Sequence, residues 1–354
     1  MRNSITLVLL PFLGLVTAAL PVCAQTRGPE PYTLIRSDKV GGAGGWDYVC
    51  ADVDARRLYI PRGDHISVYD LDSLDVVGTI PGANNVHGVA VDPVSHHAFS
   101  TSRPLLMWDS RTLAPLKTIA AEGGPDGILF EPATERIYVL SHKAPNVTVI
   151  DGQSGDIVGT IDVGGAPEQA ASDGEGHVYI DVVDKDNVAV VDAHSLKVTA
   201  HFDLAGKGGG PAGLALDARN HVLFAFCRNP NTAVILDARD GHIITTLPIG
   251  HGVDGAEFNG ATGEAFSSQG DGTLTVIKET SPSDFAVEQT VGTKAGARTS
   301  TLDAKTNHVL LVTADRVSAP PAAPAAAGAP PPPDQRRDRW QMVPDSFTIL
   351  VVGR

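Results

Sequence analysis

The chain of 354 residues is 42% hydrophobic, 19% charged and 5% aromatic, with Gly and Pro together making about 17.5%, too apolar for disorder throughout and rich in turn formers. Its net charge of −14 repels phosphate backbones and anionic lipid and so argues against nucleic-acid binding. No apolar run of spanning length follows residue 24, which argues against membrane insertion.

Residues 1–24 combine a short basic head at Arg2, an apolar stretch from Ile5 to Leu20 and a small-residue end at Ala24, the pattern of a secretory signal peptide. The expected location is the periplasm or the extracellular space, with lipid anchoring through Cys23 as an alternative that the bulky Val22 disfavours. Cleavage removes one arginine and no acid, leaving a net charge of −15. Only Cys50 and Cys227 then remain, too few for a disulfide framework, and both are expected as free thiols.

After the leader, Tyr32–Val40 reads as a lone strand, and a repeat begins. A strand-like segment closing on aspartate recurs at Ile66–Asp70, Leu105–Asp109, Val147–Asp151, Val188–Asp192 and Ala233–Asp237, with degenerate copies at Leu274–Lys278 and Phe347–Val351. A second series, Asp52, Asp92, Glu131, Asp173, Asp217, Asn259 and Asp303, closes the apolar strand that opens each unit at intervals of 39 to 44 residues. Each interval holds four short strands and their turns, a period in the range of WD40-like repeats. Seven such units, none able to bury its own faces, predict an all-β fold. It is a single seven-bladed β-propeller over residues 32–354, four antiparallel strands per blade. The seventh unit supplies only three strands, so Tyr32–Val40 is expected to complete the last blade and leave no free edge. The aspartates ending the third strands are expected to bond turn amides.

The seventh unit is interrupted after Thr313. Ala319–Pro333 contains seven Pro, seven Ala and one Gly, and the charged run Asp334–Trp340 follows. Residues 316–344 are expected to form a disordered Pro/Ala-rich insert between the second and third strands of that blade.

Segments such as Ile157–Pro167, Val178–Ile180 and Val188–Asp192 resemble the repeat of the YVTN-type β-propeller family, the exported YncE-like members in particular. The namesake tetrapeptide is degenerate, with Tyr59-Ile60-Pro61-Arg62 and Tyr138-Val139-Leu140-Ser141 in its place. The resemblance implies the propeller fold and leaves function open, because propellers host enzymes, binding modules and scaffolds alike.

Five positions before each unit's closing residue stand Asp47, His87, Asp126, Glu168, Ala212, Asp254 and Arg298. Two positions further on stand Val49, Val89, Ile128, Ala170, Leu214, Ala256 and Ser300, mostly apolar. The register therefore predicts a polar rim at one mouth of the central channel and a packed interior below it. In blade order Arg298 falls between Asp254 and Asp47, and His87 between Asp47 and Asp126, so an ion-pair network accounts for the crowding. The same residues also read as a site. His87, Asp126 and Glu168 offer one nitrogen and two carboxylates, a set compatible with Ca, Zn or Mn, although no cofactor is required. Alternatively His87 acts as a general base, with Arg298 holding an anionic substrate.

Loops joining second to third strands should reach over this rim with Arg62, Asp64, His65, Arg103, His142, Lys143, Asp184, Lys185, Arg228, Asn229, Gln269 and Asp271. Of these His142 and Arg228 are the expected binders. Two functions follow. One is a monomeric, non-enzymatic binding protein that takes a small ligand or a protein partner on the ring face. The other is a hydrolase such as a propeller lactonase, with catalytic candidates His87, Asp126, Glu168 and Arg298. Asn146-Val147-Thr148 is a sequon overlapping a strand, and the Gly pairs read as turns between blades.

Overall fold

In a computed structural model that describes residues 30–318 and 340–354, every stretch with two buried faces is a strand. The innermost strands are Cys50–Asp52, Val89–Asp92, Pro125–Glu131, Pro167–Ser172, Pro211–Asp217, Val253–Asn259 and Ser300–Asp303. Each heads a four-stranded antiparallel sheet, and the seven sheets are the blades of a propeller. The expected signal peptide at 1–24 and the Pro/Ala run lie outside the described residues. Among the described residues no helix is long and apolar enough to cross a membrane.

The alternation of side chains along a strand explains why the repeat reads as apolar runs rather than as an apolar/polar pattern. In blade 1, Leu58 and Ile60 face Leu310 and Val312 of blade 7, whereas Tyr59 faces Trp108 of blade 2. Among the described residues each neighbouring pair of blades shares one such cluster. Both faces of the inner strands are therefore core. The recurring closing residues hold the turns on the far side: Asp52 accepts from Ala55 N, Asp92 from Val94 N, Glu131 from Thr134 N and Asp217 from Arg219 N. The third-strand aspartates do the same, Asp70 for Ser73 N, Asp109 for Thr112 N and Asp151 for Ser154 N.

The ring closes as the sequence suggests. Thr33–Lys39 is the outermost strand of blade 7, antiparallel to Thr348–Gly353. Glu264, fully buried at the start of the second strand of blade 6, clasps the seam. Tyr32 Oη donates to one of its carboxylate oxygens at 2.6 Å and Arg354 Nη2 to the other at 2.8 Å. The Arg354 guanidinium also lies 4.1 Å from the Tyr32 ring centroid, and Gln289 exchanges two bonds with the Tyr32 backbone.

One boundary needs correction. The insert expected to be disordered from 316 to 344 has paired flanks: Arg316–Ser318 and Trp340–Met342 form a two-stranded ribbon with Val317 opposite Gln341. Cys50 and Cys227 are free thiols, as expected.

Removal of the clasp by Glu264→Ala leaves a buried phenol and a guanidinium short of their acceptor, and is expected to cost about 2–4 kcal/mol. Tyr32→Phe should cost only about 1 kcal/mol. Urea unfolding of the two variants checks both values, and equal midpoints for Glu264→Ala and the parent would contradict the role of the clasp.

Candidate functional site

The inner strands converge so tightly that the residue after each rim position is glycine in four blades. A Cβ on Gly127 would sit 2.4 Å from the Glu168 carbonyl oxygen, and one on Gly88 3.3 Å from that of Asp126. Of the three exceptions, Tyr48 and Gln169 line the channel, and Thr299 is buried and donates from Oγ1 to Asp47 O at 2.9 Å. Gln169 spans it, accepting from Leu214 N at 2.9 Å and donating to Ala256 O at 3.2 Å. Below this level Val49, Val89, Ile128, Ala170, Leu214, Ala256 and Ser300 all line one cavity of about 280 Å³. The register thus places these seven positions at one level, but they surround a cavity, which Glu168 of the rim also lines, where a packed interior was expected.

At the rim, acids and bases alternate from blade to blade. His87 Nδ1 lies 2.9 Å from Asp47 and 3.2 Å from Asp126. His142 Nε2 lies 3.5 Å from Asp126 and 2.8 Å from Glu168. Arg228 bridges Glu168, at 3.2 Å, and Asp254, and Arg298 Nε reaches Asp254 at 2.8 Å. The eight residues form an unbroken arc, Asp47–His87–Asp126–His142–Glu168–Arg228–Asp254–Arg298. Four come from rim positions as acids, two as bases, and of the remaining two His142 reaches in from the loop after Arg136–Ser141 and Arg228 from the end of the strand Val222–Arg228.

Burial and pairing compete along the arc. Burial pushes the Asp126 carboxyl up to about 6, against the pull of His87. It also pushes Asp254 up, opposed by Arg298 and Arg228. At Glu168 burial pulls the same way, but the bond from His142 and the charge of Arg228 outweigh it and leave the group below its ordinary value. The bond to Asp47 raises His87, and the bond to Glu168 raises His142. Asn85 sits 3.0 Å from His87 Nε2 and serves either tautomer by turning its amide. Tyr48 lies among all four carboxylates, and burial together with their charge holds its phenol protonated.

Several expectations need correction. His87, Asp126 and Glu168 do not gather as one ligand set. Asp126 is instead shared between two groups whose ligand atoms lie within 4.8 Å of one another, Asp47/His87/Asp126 and Asp126/His142/Glu168. Arg298 pairs with Asp254, and among the described residues no ion pair joins it to Asp47. Arg62 is not a rim binder: it is 2% exposed, donates to Gly42 O and Ala43 O at 3.2 and 2.9 Å, and lies 3.7 Å from the Phe347 ring centroid. Asp184 and Asp271 cap loop amides, and Gln269 is buried. Ala212 is buried, so blade 5 contributes to the rim through Arg228.

Sequence reading missed three groups. Tyr48 was detectable, since it stands where four blades have glycine. Glu257 lines the cavity where the other blades carry Cys50, Ala90, Leu129, Ala171, Ala215 and Thr301, and burial pushes it up to about 8. Asp181, an acid within the buried run Val178–Val182, accepts from Glu168 N and Gln169 N at 3.2 and 2.6 Å, and so fixes the backbone that carries Glu168.

Solved structures with the same architecture include the RRP9 WD40 repeats, with TM-score 0.70 and 12% identity over 91% of this chain and 97% of that one. They include U3-55K, with TM-score 0.69 and 12% identity over 91% and 99% of the two chains. A chain of the mitotic checkpoint complex aligns with TM-score 0.65 and 14% identity over 86% and 95%. The fold is that of the WD40 propellers. At such identities the likeness concerns the fold alone. No protein-family model matches the chain, and no curated protein matches it.

Two measurements test these electrostatics. In NMR titrations the His87 and His142 rings should both titrate above about 6.5, and Glu168→Gln should lower His142 more than His87. Glu257 is held protonated in the fold, so its contribution to stability is present below its ordinary carboxyl range and is lost as pH rises through about 8. Glu257→Gln should remove that loss and raise stability at pH 9 by at least about 1 kcal/mol; an unchanged pH profile would refute it.

Proposed function

We propose that the protein is an exported, monomeric, YncE-like propeller that binds a small ligand or a protein partner at the rimmed channel mouth, without catalysing a reaction. One observation carries this reading. The acids of the arc lie deeper than its bases: the side chains of His142 and Arg298 are 47% and 45% exposed, against 10% and 5% for Glu168 and Asp254 and 18% for Asp47 and Asp126. The carboxylates fix the bases in place, and the outward edges of the bases form a donor set ordered before any ligand arrives, which lowers the entropy cost of binding. Residues 1–24 support export through their signal-like pattern. One of the similar chains comes from a multi-component complex, which fits a partner-binding propeller.

A second reading has its own support. Asp126, His142 and Glu168 present one nitrogen and two carboxylate oxygens within 4.8 Å of one another, a set suited to Zn, Mn or Ca. A cation there would polarise a lactone or ester carbonyl for hydrolysis.

The decisive experiment measures metal content and lactone and ester hydrolysis for the purified protein beside the Asp126→Ala/Glu168→Ala variant, with a ligand screen by thermal shift. The binding reading expects no turnover and a ligand-induced shift that disappears in His142→Ala. Metal-dependent turnover that the double variant abolishes would replace it with the hydrolase.

A further inference from the structure

On the rim face, between blades 6 and 7, a second cavity of about 540 Å³ opens beside the arc and shares only Arg298 with it. Its volume falls in the range of small-molecule pockets. Its charged lining is His251, Lys294, Arg298, Asp315 and Arg316, with small residues such as Ala295 and Ala314 forming the rest of the wall. Three permanent cations on one cavity of a chain with net charge −14 run against the overall field. Among the described residues the one acid of the lining is already occupied, because Asp315 pairs with Lys294 at 2.7 Å.

The two guanidinium groups are the more telling feature. Arg298 commits its Nε to Asp254, and among the described residues its terminal nitrogens have no hydrogen-bond partner. Arg316 lies over the Trp46 ring, 5.1 Å from its centroid, within cation–π reach. Gly296, at φ +84°, lies alongside it: a Cβ there would stand in ordinary contact, 3.5 Å from the guanidinium carbon. Burial, and after it the charge of Arg298, lowers the proton affinity of Arg316. Two guanidinium groups lining one cavity repel each other unless an anion lies between them. Paired forks of this kind match the geometry of carboxylate and phosphate oxygens.

We propose that the pocket between blades 6 and 7 is a binding site for a small organic oxyanion, clasped by Arg298 and Arg316 with Lys294 at its edge. The site does not depend on the proposed function of the channel mouth. Carboxylate and phosphate share the recognition chemistry, so calorimetric titrations with citrate and with inorganic phosphate at low salt serve as separate arms. At least one probe should bind with a dissociation constant below about 1 mM and lose affinity as salt rises. Lys294→Ala/Arg316→Ala should weaken it at least tenfold and Arg316→Lys by less, since a lysine keeps charge without the fork. His142→Ala, which disrupts only the arc, should leave it unchanged. Binding of citrate alone assigns a carboxylate site and binding of phosphate alone a phosphoryl site. Binding of neither probe, or binding equally tight in the double variant, overturns the proposal.

Discussion

A ring of separate sheets has one seam, and everything else in this molecule depends on that seam holding. Each blade buries its faces only against its neighbours, so an open ring would expose two large apolar faces at once. The N-terminal strand closes blade 7 from outside, and Glu264 of blade 6 holds Tyr32 and Arg354 together. A buried carboxylate is stabilising only when both oxygens are satisfied. Here each oxygen takes one end of the chain, so the anion stays comfortable only while the ring is closed.

Closure then dictates the chemistry of the rim. Seven inner strands meeting around a narrow channel leave glycine as the residue that fits beneath the rim in four blades, and push the preceding side chains together. Four carboxylates in such a space would repel strongly without cations between them. The alternation of acid and base is the arrangement that lets them stay. Burial raises Asp126 and pairing lowers Glu168, so neighbouring carboxyls on one arc have different proton affinities although their sequence contexts look alike.

The strand period and the closing acids made the blades readable in the sequence, because a propeller repeats its turns and each turn needs its side-chain acceptor. The rim was readable for the same reason, by register. What register cannot show is where a long side chain goes once its backbone is placed. Arg62 follows the second strand of blade 1 and Arg228 ends that of blade 5, yet Arg62 folds under Phe347 to hold a glycine-rich loop and Arg228 swings over the rim to Asp254. The metal set failed on the same point: His87 and Glu168 flank Asp126 in blade order, but His142 lies between Asp126 and Glu168. Departures from the repeat, such as Tyr48 among glycines and Glu257 among small or apolar residues, were the overlooked signal.

The antiparallel seam has a mechanical side. Thr33 lies opposite Gly353 and Lys39 opposite Thr348, so the two chain ends leave the sheet side by side. Tension applied through residues 32 and 354 would load the strand pair at that end and open its hydrogen bonds one at a time, as in peeling, rather than all together in shear. Ahead of the first bond lie the Tyr32–Glu264–Arg354 contact, the two Gln289 bonds to the Tyr32 backbone and the Arg354–Glu288 pair. Under load the propeller would therefore fail at its seam, with the other six blades still folded.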